Sequence, residues 1–293
     1  MYQTLEHSVY AKLRSGQTLE ALLEVQNALP KLSGADWFAG SLLLANVQVQ
    51  CGVRNYAACM GRLRDVLGAD VPLLVHLKAR LLLAHLAAAT RDYPLWRAQM
   101  DAYPALAEAL PAWTGRFLRS EAHGLESFDD LSAAIAMFTR AAAWHTDNLG
   151  PYDEQDRRCY LGACYANLTR LYVQVGDMAG AESALRLAEA IMPAGTYQTW
   201  IVPFGRAHLA LARDDLVAVP AAIQEAQRLL GTHANCTDAA LVADLEATYY
   251  RRMGNSEQTR ERAAEAVRLT RLSRNLSLLT RLQRTYIRRG DSA

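Results

Sequence analysis

Residues 165–193 read YANLTRLYVQVGDMAGAESALRLAEAIMP. Apolar side chains recur three and four apart in the first half, at Tyr165, Leu168, Leu171, Tyr172 and Val175, and again in the second, at Ala181, Ala184, Leu185 and Ala188. That spacing puts each set on one face of a helix. Gly176 stands where the first helix needs a left-handed residue to end, and Asp177 where the second needs an oxygen to cap its free N–H groups. Pro193 stops the second helix. The stretch is a pair of amphipathic helices joined by a two-residue turn.

Working outward, Gly176 has counterparts at Gly16, Gly52, Arg91, Asp129, Asp214, Gly254 and Gly290, at intervals of 36 to 47 residues. The following residue is Asp or Asn at Asp92, Asp130, Asp177, Asp215, Asn255 and Asp291, so the helix-start chemistry repeats with the turn. Seven residues before each anchor stand Val9, Ala45, Ala84, Ala122, Thr169, Ala207, Ala247 and Gln283, mostly small, as a close approach of two helices requires. Twelve residues after it stand Ala28, Arg64, Tyr103, Ala141, Ala188, Ala226 and Ala266. The register is looser between Gly52 and Tyr103, where Arg91 replaces the turn glycine and Trp96 takes a position usually small; Asp129 replaces the glycine of the next turn. The middle units are therefore expected to be looser hairpins.

Tyr165, Leu168, Tyr172, Gly176, Ala181, Leu185, Ala188 and Pro193 together resemble the tetratricopeptide repeat (TPR). The resemblance implies an all-α chain, a right-handed superhelical solenoid of about eight TPR-like helical hairpins, with another kind of α-solenoid as the alternative. It also implies that the first helix of each hairpin lines a concave face. The expected organisation is N-terminal hairpins over 1–146, an acidic loop DNLGPYDEQD over 147–156, and C-terminal hairpins over 157–293 ending in an Arg-rich capping helix, about Asn275 to Arg289. The loop is expected to let the two blocks flex.

Composition narrows the function classes. The chain has 293 residues, 51% of them apolar, and a net charge of +1, so no whole-molecule field draws it to nucleic acid or an anionic membrane. The start, with Glu6, His7 and Lys12, does not read as a signal peptide, and the runs Ser41–Val49 and Leu81–Ala89 fall short of the roughly 20 residues of a membrane span. A cytoplasmic protein is expected. Cys51, Cys59, Cys159, Cys164 and Cys236 are odd in number and scattered, which suits reduced packing residues. There is no CxxC, HExxH, GxSxG or phosphate-binding glycine loop, so no metal, no cofactor and no enzyme are expected.

The site residues follow from the same register. Six residues before each anchor the chain places Tyr10, Asn46, His85, His123, Arg170, His208, Thr248 and Arg284, a mainly polar column. The resemblance puts this column on the groove, with Asn167, Gln174, Phe204, Asp244 and Arg251 on or beside it, and it implies that Asn167 holds a peptide backbone. The plainer reading is that a helix face in water gathers polar residues whether or not anything binds. A second surface comes from charge. From Arg251 to Ala293 eleven arginines face only Glu257, Glu261, Glu265 and Asp291, a local +7, and Leu269, Leu272, Leu276, Leu279, Leu282 and Tyr286 form an apolar stripe. Arg268, Arg271, Arg274, Arg281, Arg284 and Arg288 either solvate a capping helix or form an anionic-partner patch.

The resulting expectation is an adaptor or scaffold that binds a protein or peptide ligand in its groove. The alternative is the sensory or regulatory TPR module of a bacterial signalling or transcription-control protein, possible ligands including a peptide signal. Self-association stays open, nucleic acid is not expected, and no membrane is involved.

Overall fold

The computed structural model describes residues 2–15, 17–50, 56–150, 153–196, 198–231 and 236–287. The turn residues Gly16, Gly52, Gly290 and Asp291, together with Cys51, Arg288 and Arg289, lie outside the described residues.

The chain is a helical solenoid. Helices pair in order as α1 (Tyr2–Arg14) with α2 (Thr18–Ala28), α3 (Gly34–Gln50) with α4 (Tyr56–Leu67), and α5 (Leu73–Ala89) with α6 (Tyr93–Asp101) and α7 (Tyr103–Ala109). There follow α8 (Thr114–Ser127) with α9 (Leu131–Asp147), α10 (Glu154–Val175) with α11 (Met178–Ile191), α12 (Ile201–Ala212) with α13 (Val219–Leu230), and α14 (Cys236–Arg252) with α15 (Ser256–Ser273). A last helix, α16 (Leu276–Leu282), runs into a single π-helical turn, Gln283–Ile287. The described residues contain no strand.

The expected turn recurs as one hydrogen-bonded device. Arg91, Asp129, Gly176, Asp214 and Gly254 all adopt positive φ, between 59° and 83°. After each, the next residue's N–H reaches back five positions, as from Asp92 to the Ala87 carbonyl, Asp130 to Leu125, Asp177 to Tyr172, Asp215 to Ala210 and Asn255 to Tyr250. The same five Asp and Asn side chains then accept from an N–H three residues on. Arginine and aspartate thus hold a left-handed position that glycine takes at lower strain. Arg274 (φ 50°) with Asn275 repeats the device between α15 and α16, at a place the 38-residue period does not mark.

The small column is the helix-crossing column: Val9, Ala45, Ala84, Ala122, Thr169, Ala207 and Ala247 are all buried. Ala141, Ala188, Ala226 and Ala266 are buried on the second helices, but in α4 the buried residue is Leu63 while Arg64 is exposed, a slip of one position. In the third hairpin Pro104 restarts the helix as α7. Trp96 is fully buried there because Gly124 of α8 leaves room for it: a Cβ on Gly124 would lie 2.0 Å from the indole nitrogen.

Apolar clusters succeed one another along the rod, each shared by neighbouring hairpins, for example Leu118, Ala122, Phe138, Ala141, Leu161, Leu168 and Ala184 across α8 to α11. The boundary expected near 146–157 falls inside that cluster. The acidic loop is shorter than 147–156: α9 includes Asp147, Asp153 caps α10, and Glu154, Gln155 and Asp156 are already helical, so the 17-residue α9 and the 22-residue α10 fill most of the 47-residue interval. The apolar stripe is also interrupted, since the Arg274–Asn275 turn separates Leu272 from α16, where Leu278 and Leu282 are buried and Leu276 is exposed. Cys59, Cys159 and Cys164 are buried free thiols and Cys236 is a half-buried one.

Candidate functional site

First helices form the inner layer, with α1 on α3, α3 on α5, α5 on α8, α10 on α12 and α12 on α14. The last of them does not simply cap its neighbour. α16 also touches α5, and the Ser277 hydroxyl donates to the Ser127 carbonyl at the end of α8, 2.8 Å away and 150 residues earlier. The inner wall therefore curls until its end meets its middle.

The polar column lies on this wall, but its members have different surroundings. Asn46 is half-buried and donates to the Tyr10 hydroxyl at 3.4 Å. His85 keeps an exposed surface while the crowded wall desolvates it, which lowers its pKa. His123 and His208 are half-buried; burial, reinforced by Arg119 and Arg170 at His123 and by Arg170 and Arg281 at His208, pushes each down to about 3. Their rings sit edge-on to Phe138 and Phe204, at 4.9 and 4.7 Å.

Asn167 and Arg170 are committed within the chain. Arg170, 7% exposed, forks onto Glu126 of α8 with contacts of 2.6 and 2.7 Å. Asn167, 4% exposed, donates to the Ala163 carbonyl of its own helix and accepts from Arg170. Burial alone would raise the Glu126 pKa, but the Arg170 guanidinium outweighs it and holds the carboxyl at about 2. Phe204 is buried in the core with Trp200, and Gln174 is exposed.

Asp244, Thr248 and Arg251 face the end of the chain. Asp244 accepts from the Tyr286 hydroxyl at 2.8 Å and from Arg281 at 3.2 Å, Thr248 lies 3.1 Å from the Tyr286 hydroxyl, and the Arg251 guanidinium is 5.5 Å from the Tyr286 ring. The C-terminal arginines are likewise divided. Arg268 pairs with Glu265 of its own helix at 2.7 Å, Arg281 turns inward to Asp244, Arg284 approaches Asp129 at 3.7 Å, Arg274 forms the turn and Arg271 is exposed.

Sequence reading missed Glu126, Arg116, Arg119 and Tyr160. Each continues the polar column along its own helix by steps of three or four residues, which is the signal that would have found them. Among the described residues no helix is long and apolar enough to cross a membrane, and no group of three or more His, Cys, Asp and Glu side chains could hold a metal ion.

No protein-family model matches the sequence, and no curated protein is similar to it. Solved structures are. The Cut9–Hcn1 hetero-tetramer of the APC/C contains a chain similar over 97% of this one, at 14% identity and a TM-score of 0.59, of which this chain spans 48%. A Rap protein complexed with competence and sporulation factor is similar over 96% of this chain and 80% of its own, at 13% identity and a TM-score of 0.63. A tetratricopeptide repeat protein from Parabacteroides merdae is similar over 95% of this chain and 98% of its own, at 14% identity and a TM-score of 0.54. At such identities the likeness speaks for fold, and it agrees with the repeat read from residues 165–193: the chain is an α-solenoid with the tetratricopeptide-repeat fold.

Proposed function

We propose that the chain is a binding protein rather than an enzyme, an adaptor that holds a protein or peptide segment against its inner wall. The observation that carries this reading is the wall itself, where first helices packed on one another leave Asn46, His85, His123 and His208 in one polar column with open surface. A wall that presents polar side chains one hairpin after another suits an extended segment, whose backbone needs hydrogen bonds. Asn46, His85, His123, His208 and Gln174 remain the wall residues with surface to offer, whereas Asn167 and Arg170 act by shaping it.

The alternative, a sensory or regulatory module, draws support from the likeness to the Rap protein, which was solved with competence and sporulation factor bound. Both readings share one test. A displayed random-peptide library selected on the chain should give binders whose affinity falls about ten-fold or more when His85→Trp obstructs the wall, and stays unchanged in the exposed outer variant Arg186→Gln. Binders indifferent to His85→Trp would reject the inner wall as the binding surface.

A further inference from the structure

Down the inner face of α8 stand Arg116, Arg119, His123 and Glu126, in steps of three and four. Glu126 serves Arg170. The two arginines at the other end meet rings. The Arg116 guanidinium lies 5.6 Å from the Trp113 ring and 5.7 Å from the Tyr160 ring of α10, and that of Arg119 lies 4.7 Å from Tyr160. Lys78 of α5 stands 5.7 Å from the Trp113 ring, and its charge is met by Glu6 of α1 at 2.7 Å.

Tyr10 of α1 stands one helical turn from Glu6, which Lys78 ties to the Trp113 ring, and burial raises its pKa. α1, α8 and α10 thus converge here. The Tyr10 oxygen accepts from Asn46 and keeps its own proton to donate.

Arg119 is the informative member. Among the described residues no carboxylate forms an ion pair with it, and its Nε is buried with no hydrogen-bond partner. A buried donor on a permanent cation is costly, and guanidiniums three residues apart on one helix face repel. The charge of Arg119 acts on His123 of its own helix, on His145 of α9 and on Cys159 and Cys164 of α10. Stacking on Tyr160 fixes the fork in direction without neutralising it.

We infer that Arg116 and Arg119, steadied on the faces of Trp113 and Tyr160, form an anion-recognition site that takes an oxyanion of the bound ligand, carboxylate or phosphate, with Tyr10 as an added donor. The inference rests on the inner wall being the ligand surface. A forked guanidinium matches two oxygens of either group, and a neighbouring phenol lengthens the donor array.

The test is a titration of the purified chain with inorganic phosphate and with succinate, at ionic strength matched by sodium chloride, followed by calorimetry and by thermal unfolding. Saturable binding is expected, weakened about ten-fold or more by Arg119→Gln and by Arg116→Gln, less by Arg119→Lys, and not by the exposed Arg186→Gln. Preference for phosphate points to a phosphoryl group and preference for succinate to a carboxylate. Weak responses that are the same in the native chain and in both glutamine variants, with all folded by circular dichroism, overturn the site. Library peptides that keep their affinity in Arg119→Gln also overturn it while leaving the peptide reading intact. Anion binding that depends on Arg119, in a chain that selects no peptide, supports the site and rejects the peptide reading.

Discussion

At the C-terminal end of α8, Glu126 and Arg170 meet through two short contacts, and Asn167 takes up a further donor of the fork. Nearby, Asp244 is engaged by Arg281 and Tyr286 from the last turn of the chain. Some two turns back along the same helix face, Arg119 stacks on a tyrosine ring and has a buried N–H with no acceptor among the described residues. One region satisfies its charges within the chain, and the other holds a charge in place without satisfying it. A polar stripe on the inner wall therefore does not mark a binding surface by itself. What separates structural residues from available ones is whether the fold supplies the counter-charge.

The comparison can be broken most severely at Glu126. Its replacement in Glu126→Ala leaves Arg170 as an uncompensated, largely buried cation, and the unfolding free energy from urea titration should fall by about 3–5 kcal/mol. A loss under about 1 kcal/mol would mean the pair is not structural.

Acidity probes the same region through its histidines. The folded pKa values of His123, His145 and His208 lie near 3, against an ordinary 6.5, so below pH 6.5 the unfolded chain binds protons that the folded chain does not. Stability should decline as pH falls through 6.5 toward 3, joined below 4.5 by Glu126, whose folded value is about 2. His208→Gln should flatten the upper part of that decline by up to about one proton's worth of slope. An unchanged slope would place His208 in a wetter setting than described.

Smaller effects belong to the closure and the turns. Tyr286→Phe removes the hydroxyl shared by Asp244 and Thr248, which should cost about 1 kcal/mol and speed amide exchange in α16 before it does so in α14. Equal acceleration throughout would show that the last helix is not held separately. Asp214→Gly should stabilise by about 0.5–1 kcal/mol, because Asp214 holds φ at 59° and its contact with Arg252, at 3.7 Å, is exposed.

How much of this was legible depends on the range of the interaction that decides it. Turns and caps are local, so Gly176–Asp177 and its relatives could be read even where arginine or aspartate stands for glycine. The buried column from Val9 to Ala247 was legible because helix crossing repeats with the period. α4 was misaligned by one residue, and α7 was not foreseen. The acidic loop was drawn too long because the Asp153 cap extends α10 to meet it, which composition does not show. The site was less legible. The column follows the first helices, but Glu126 finds Arg170 across 44 residues and Ser277 finds Ser127 across 150, and no periodicity encodes such pairs. Phe204 shows the converse, a position beside the column that packing has taken into the core.

Arg170 is held by a counter-charge of the fold, whereas Arg119 has none among the described residues, and the unfolding free energies of Arg170→Leu and Arg119→Leu in urea at neutral pH measure that difference. Arg170→Leu strands Glu126 and should destabilise by about 3 kcal/mol, whereas Arg119→Leu, which removes an unsatisfied buried donor, should leave stability within about 0.5 kcal/mol of the native chain or raise it. Equal and large losses for the two variants would contradict the account.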